Sequence, residues 1–334
     1  MGILQRLSLP VIAAPMAGGP STPQLVTAVA RAGGLGFLAG GTTTPGQLKT
    51  DMAAVAGPYA VNLFAPQEPL REPVPVETLL AQLRPIYREH GLGEPAVPEV
   101  DFTNGWEEKF AVLLDAAHPP AVVSSTFGPF TAAEIAALHQ RGIEAWITVT
   151  RPADARNAAE LGADALVVQG PEAGGHRSTW DIHGEPDQRP LEELLPAVAA
   201  EVPATLPLVA AGGISTPADV RRALALPQVA AASCGTAFLR ATEAGTSVGN
   251  RAILDTVATG DTVTTRAFSG RFARGVATDF TRRHPDLPPS YPFLNPLMKP
   301  LRKDPRFSYC LAGIGAAQTR EVGAADILAD LAGK

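Results

Sequence analysis

Ala165-Leu166-Val167-Val168-Gln169-Gly170-Pro171-Glu172-Ala173-Gly174-Gly175-His176-Arg177 is the stretch that decides the fold. The apolar run, led by Gly162-Ala163-Asp164, reads as a buried strand. Gln169 closes that strand, and a glycine-rich loop carries one histidine to its C-terminal end. In a barrel of alternating strands and helices that end carries the chemistry, while the opposite end carries stability. Gly174-Gly175 lets the backbone approach a flat ligand without Cβ clashes and turn N–H groups toward it. His176 is then expected to face that ligand as a catalytic group titrating near neutral pH.

Working outward, the same punctuation recurs. Apolar runs at 9–14, 35–39, 59–64, 121–125, 144–149, 165–168, 206–211 and 229–233 alternate with helical patterns. Ser21-Thr22-Pro23, Thr44-Pro45 and Ser215-Thr216-Pro217 cap helices, with proline in the first turn where its missing N–H is harmless. This alternation predicts an α/β chain with a TIM (β/α)8 barrel. Residues 65–110, rich in Pro and Glu with a helical stretch near 76–90, read as a lid excursion over the mouth. The rhythm breaks after Gly235, where 262–268 and 274–278 look like short strands before a proline-dense stretch. The expected organisation is a barrel of 1–240 and 311–334, with a smaller substrate-binding domain at 241–310.

Composition bounds the function. A chain of 334 residues, 46% hydrophobic and 18% charged, can bury a full core. Its net charge of −6, without a basic cluster, argues against nucleic acid. Two cysteines without CxxC spacing exclude a cysteine zinc site or disulfide framework; no metal is expected, and a reducing cytoplasm fits. There is neither a leader pattern at the N-terminus nor an 18-residue apolar run, so no membrane partner is expected.

The loops after the seventh and eighth strands supply the second signal. They read Ala211-Gly212-Gly213-Ile214-Ser215 and Cys234-Gly235-Thr236-Ala237. In such barrels these loops commonly bind a phosphate, and here glycine N–H groups stand at both strand ends. Thr236 can donate its hydroxyl to the same oxygens, and the helix that follows Gly213 offers its N-terminal dipole. No GxGxxG follows the first strand and no P-loop occurs, which excludes a Rossmann or P-loop nucleotide site. Asn62 and Gln169 are strand-end amides suited to the polar edge of an isoalloxazine ring. The Ala14-Pro15-Met16 turn offers carbonyls, amides and a soft side chain to a flat ring. Tyr291, Asn295 and Lys299 recur every four residues, which predicts one helix face lining a substrate pocket, with Lys299 attracting an anion.

Ala14-Pro15-Met16-Ala17-Gly18-Gly19, the segment 32–41, the 169–177 segment, Ala210 to Ile214 and Gly235-Thr236-Ala237-Phe238 resemble the nitronate monooxygenases. Arg266-Ala267-Phe268-Ser269-Gly270-Arg271, Ala273-Arg274-Gly275 and Tyr291-Pro292 look like class I members of that family. The resemblance implies an FMN-binding TIM barrel that oxidises alkyl nitronates, notably propionate 3-nitronate, with O₂ through a flavin semiquinone. It implies that His176 is the active-site histidine, and that Asn62, Gln169, Gly174, Gly212, Gly235 and Thr236 contact FMN. On that reading Gly175, Gly213 and Ser233 also belong to the cofactor site.

Departures from the family are visible. Ala13 and Ser233 stand where members often carry Gln, Thr126 where a bulkier residue or histidine is common, and Ile314 where Gln is usual. Thr126 joins Tyr291, Asn295 and Lys299 as an expected substrate-pocket residue. The alternatives are an FMN-dependent NAD(P)H enoyl or quinone reductase, or a non-redox phosphate-binding barrel. The latter would want a strand-end lysine or paired carboxylates, and the strand ends here carry Asn, Ser, Gln and Gly. A monomer or homodimer working on a small molecule and O₂ is expected.

Overall fold

The computed structural model describes residues 2–70 and 74–334. In chain order, a 3-10 turn at Ile3–Gln5 precedes β1 (Val11–Ala13), α1 (Pro23–Arg31), β2 (Leu35–Ala39), α2 (Pro45–Ala54) and β3 (Ala60–Phe64). Then come α3 (Val74–Glu89), α4 (Trp106–Leu114), β4 (Val122–Thr126), α5 (Ala132–Gln140), β5 (Glu144–Val149), α6 (Pro152–Glu160) and β6 (Ala165–Gln169). The chain continues through β7 (Gly175–His176), α7 (Leu191–Ala199), β8 (Leu208–Ala211), α8 (Pro217–Leu224) and β9 (Val229–Cys234). It finishes with α9 (Val248–Thr256), β10 (Thr262–Thr265), β11 (Ala273–Val276), α10 (Asp279–Arg283), α11 (Leu294–Met298) and α12 (Ala324–Leu331).

Strands β1 to β6, β8 and β9 close into a parallel barrel, β1 pairing with β9 through Val11–Ala232, Ile12–Ser233 and Ala13–Cys234. Alternation along each strand decides what the barrel holds. Ile12, Phe37, Ala60, Val122, Trp146, Ala165, Val209 and Ala231 turn inward and fill the lower lumen, with Ile3 below them. Phe37 and Trp146 meet there with ring centroids 5.9 Å apart. The outward set, among them Val61, Val123, Ile147, Leu166 and Leu208, packs against the helices. Thr22, Thr44, Thr131 and Thr216 cap α1, α2, α5 and α8, each hydroxyl accepting an N–H three residues on. Helix α12 packs on α1 and α8 and completes the ring after a long insertion.

The connection at 65–110 divides between two cores. Trp106 and Leu113 of α4 belong to the barrel core, and α4 packs on α2 as the ring helix that follows β3. The sequence reading does not single that helix out within the 65–110 excursion. Leu79, Leu83 and Tyr87 of α3 instead join Phe280, Leu294, Leu297 and Phe307 in a second core, where the Tyr87 hydroxyl donates to the Leu297 carbonyl at 2.6 Å. Residues 71–73 lie outside the described residues. Antiparallel β10 and β11 form a small sheet whose third member is β7, with His176 opposite Ala273 and Gly175 opposite Arg274. The histidine expected in a loop is therefore held in a ladder. Among the described residues, no helix is long and apolar enough to cross a membrane.

Candidate active site

The alternation that fills the lumen also sets the floor of the site. One step above the apolar layer, the inward positions are Asn62 and Phe64 on β3, Ser124 and Thr126 on β4, Thr148 on β5, Gln169 on β6, Ala211 on β8 and Ser233 on β9. Most of them line a cavity of about 620 Å³ at the C-terminal ends of the strands, within the ~300–1,000 Å³ usual for ligand sites. Ala14, Pro15, Met16, Gly174, Gly175, His176, Gly212, Gly213, Gly235 and Thr236 line it too, with Thr126, Tyr291 and Asn295 on the other side.

One expected residue is elsewhere. Lys299 is exposed and does not line the cavity. Helix α11 starts only at Leu294 and ends at Met298, and the chain then tightens into a 3-10 turn. The four-residue spacing from Tyr291 therefore never becomes one helix face, because the pitch changes under it. The cation that reaches the cavity is Arg302, which sequence reasoning missed. Its guanidinium lies 4.1 Å from the centre of the Tyr309 ring and donates through Nη2 to Asn295 Oδ1.

The phosphate side has the donors in place, but not where a helix dipole would put them. Ser215 and Thr216 donate their N–H groups to Asp219 Oδ2 at 3.0 and 2.9 Å, so a carboxylate already occupies the α8 N-terminus. The N–H groups of Gly212, Gly213, Gly235 and Thr236 have no acceptor among the described residues. Thr236 Oγ1 accepts the Gly313 N–H at 2.9 Å, which leaves its own proton free to donate. Gly212 and Gly213 take φ of +118° and +69°, and a Cβ on Gly213 would lie 2.9 Å from Glu172 Cβ. Only glycine makes that cradle without strain.

The amides behave differently from free edge contacts. Gln169 Nε2 donates to the His176 carbonyl at 2.9 Å, and its Oε1 accepts the Ser178 N–H at 2.9 Å. Gln169 thus pins the backbone on either side of Arg177 and positions the histidine. Asn62 Nδ2 donates to Ser124 Oγ at 2.9 Å and Thr126 Oγ1 at 3.0 Å. That arrangement holds the Asn62 amide against β4.

His176 stands within a cage of rings. Phe127, Tyr291 and Phe64 present edges to it at centroid distances of 5.5, 5.7 and 6.3 Å. Its Nε2 is 2.8 Å from Ser269 Oγ. Burial, reinforced by the Arg271 guanidinium, pushes the His176 pKa down to about 3. The imidazole is therefore neutral at physiological pH, not poised near neutrality as the sequence suggested. Arg271 itself is buried, stacked 4.2 Å from the Phe127 ring centre, and donates to the Thr179 carbonyl at 2.6 Å. Phe127 holds a left-handed φ of +75°, and its N–H donates to Ser178 Oγ at 3.1 Å. Such strain, typically ~1–3 kcal/mol, persists where surrounding contacts over-determine it.

The sequence reading missed Phe127, Ser269 and Arg271 as well as Arg302. The Arg266 to Gly275 segment had carried a family likeness without assigning any of its residues a task.

The charged side chain that lines the cavity is a cation, Arg302. No Asp or Glu is among the described residues lining the cavity. Arg302 lines it, and Arg177, Arg271 and Arg274 lie behind the lining with hydrogen bonds to carbonyl, amide and hydroxyl oxygens, while Glu172 stands near Arg177 and Arg274 and Asp181 near Arg271. Such a site attracts anions and stabilises negative charge that develops inside it. Among the described residues no cluster of three His, Cys, Asp or Glu gathers to hold a metal.

Comparison with known proteins agrees with this geometry. A family model described as nitronate monooxygenase matches residues 3–331. A nitronate monooxygenase of Paraburkholderia phytofirmans is 35% identical over 98% of this chain and 92% of its own length. One of Pseudomonas aeruginosa is 33% identical over 98% of this chain and 96% of its own. The crystal structure of a nitroalkane oxidase from Streptomyces ansochromogenes superposes with a TM-score of 0.89 at 36% identity, covering 99% of this chain and 96% of that one. FabK of Thermotoga maritima shares the fold, with a TM-score of 0.72 at 23% identity over 98% of this chain and 93% of that one.

Proposed function

We propose, starting from the fact that this chain belongs to the nitronate monooxygenase family, that it oxidises alkyl nitronates with O₂ on a non-covalent FMN held across the barrel mouth. One observation carries the reading. A single cavity joins four unpaired N–H donors on the barrel rim to a neutral histidine on the opposite wall, with no carboxylate between them.

The residues fit the cofactor. Gly212, Gly213, Gly235 and Thr236 would hold its phosphate, and a side chain at either of the first two would press on the Glu172-Ala173 segment and distort the cradle. Ala14, Pro15 and Met16 would pack along the ring, with Ser233 and the Gly174-Gly175 backbone lining the same space. Bound there, FMN supplies the electron-transfer chemistry, and the chain supplies orientation and charge.

His176 handles the substrate. Its neutral imidazole can accept the α-proton of a nitroalkane as the anion forms beside it, because the surrounding guanidinium charge favours that anion. With a preformed nitronate there is no proton to accept, and the other tautomer, with its proton on the accepting nitrogen, would donate to the anion. Ser269 fixes the ring through Nε2, and Gln169 fixes the backbone that carries it. Phe64, Phe127 and Tyr291 keep water from the reacting carbon. A cytoplasmic setting, as a monomer or homodimer, suits two free, buried cysteines.

Acid release of the cofactor followed by chromatography, then anaerobic mixing with a nitronate or with NADPH, tests the proposal. We expect a yellow protein containing FMN whose absorbance is bleached by the nitronate. Rapid bleaching by NADPH without response to nitronates would move the assignment to a reductase. A colourless protein that ignores FMN would leave a non-redox barrel.

A further inference from the structure

We propose that Arg302 is a specificity-determining residue that holds a carboxylate tail on the substrate, so that the enzyme selects nitronates with an anionic end over those with a plain alkyl end. The inference rests on the nitronate reading above and names the residue that would recognise a carboxylate end such as that of propionate 3-nitronate.

Arg302 is the only Lys or Arg among the described residues lining the cavity. Its Nη2 donates to Asn295 Oδ1, and its plane lies on the face of Tyr309. Its Nε is buried without an acceptor among the described residues, and Nη1 makes no hydrogen bond there either. Nothing acidic lines the space in front of it. A guanidinium taken out of water without a carboxylate is costly, and a planar fork fixed by stacking is suited to bidentate carboxylate binding.

Arg302 comes from a different segment than the strand-end loops of the cradle, although the chain runs on from Tyr309 beneath it to Gly313, whose N–H bonds Thr236 of the cradle. The cradle lies on the β8 and β9 ends of the barrel, whereas Arg302 follows α11 in the segment that also carries Asn295 and Tyr291. Tyr291 stands with its ring 5.7 Å from His176. The guanidinium thus belongs to the wall that carries the histidine's aromatic cage. A neutral His176 cannot anchor a substrate charge, so Arg302 is the cavity-lining side chain left to do so.

The test compares kcat/KM for propionate 3-nitronate and propyl 1-nitronate in wild-type holoenzyme, Arg302→Gln and Arg302→Lys, with FMN content measured for each. The ratio of the two should fall ~10–100-fold in Arg302→Gln, carried mainly by KM, as expected for loss of a hydrogen-bonded charge. Arg302→Lys, which keeps the charge and loses the fork, should recover part of the ratio. Calorimetric titration with 3-nitropropionate gives a readout independent of turnover, and Arg302→Gln should weaken it by a similar factor. Equal losses on both nitronates overturn the inference. So does loss of FMN with an unchanged ratio, which would hand the guanidinium to the cofactor phosphate. If wild-type enzyme oxidises neither nitronate, the functional reading fails, and the titration alone decides whether Arg302 is an anion site.

Discussion

Ser269 Oγ sits 2.8 Å from His176 Nε2, although 93 residues of chain separate the two. The excursion after barrel strand β6 supplies the histidine, and the connection between β10 and β11 supplies the hydroxyl that orients it. Replacing the imidazole should therefore separate chemistry from cofactor binding. His176→Asn should retain FMN and lose ~10²–10⁴-fold in rate on neutral nitroalkanes, the usual worth of general acid–base catalysis. Preformed nitronates should suffer less, because their proton is already gone. Stopped-flow measurement on both forms checks this, and wild-type rates on both would reduce His176 to a packing residue.

The depressed His176 pKa has a defined effect on stability. An unfolded imidazole titrates near ~6.5, whereas the folded one does so at about 3. Between those values the unfolded chain binds a proton that the fold refuses. The contribution is whole above ~6.5 and is lost progressively as pH falls toward 3. The Tm of cofactor-free protein should fall between pH 6.5 and 4, and His176→Gln should flatten that slope. In kinetics, no inflection between pH ~5 and 8 should disappear in His176 variants, since the group is neutral throughout. A His176-dependent inflection near 6.5 would refute the assignment.

Gln169 offers a sharper structural test. Gln169→Leu strands the His176 carbonyl and the Ser178 N–H, which both lose a 2.9 Å partner. Each unsatisfied buried group costs ~1–3 kcal/mol. We expect a clear drop in Tm and in kcat, with FMN affinity less affected. Gln169→Glu, able to accept but not to donate, should fall between. Thermal melts alongside FMN titration decide it, and an unchanged melt would mean the loop is held by other contacts.

Gly235 separates fold from cofactor in the opposite sense. Its φ is −101°, and an added Cβ would meet Ala14 Cβ at 3.5 Å, an ordinary contact. Gly235→Val should leave the cofactor-free protein stable while weakening FMN by ~10-fold or more, equivalent to ~1.4 kcal/mol. Gly213→Val, at φ +69° and against Glu172, should instead destabilise the fold itself. Melts of cofactor-free protein with FMN titrations distinguish the two, and undiminished FMN binding by Gly235→Val would remove that loop from the phosphate site.

The barrel was legible because each local signal agreed with the next. Strand runs such as 35–39 and 144–149 coincide with β2 and β5, and the Thr-Pro pairs do start helices. Strand-end position also carried Asn62 and Gln169 to the mouth, and the family likeness carried Thr126 there, without any tertiary information. What failed was whatever depends on partners remote in sequence. The pitch change after Met298 turned Lys299 outward. The Gln169 amide was spent on residues 176 and 178, a use that only the folded loop reveals. The protonation state of His176 depends first on its burial and then on Arg271, neither of which a local pattern reveals.

The pairing of His176 with Ala273 in the small sheet bears on how such enzymes can be recombined. A segment that joins its host only at its two ends can be exchanged whole, by evolution or by an engineer. Here the stretch around 273–276 also supplies the backbone ladder that fixes His176, and Ser269 just before it supplies the hydroxyl. Grafting that stretch from a relative would reset the histidine even if every barrel residue were left untouched. The histidine loop and the small sheet should therefore be moved as one cassette, and a library that shuffles them separately should yield mostly well-folded chains with His176 misaligned.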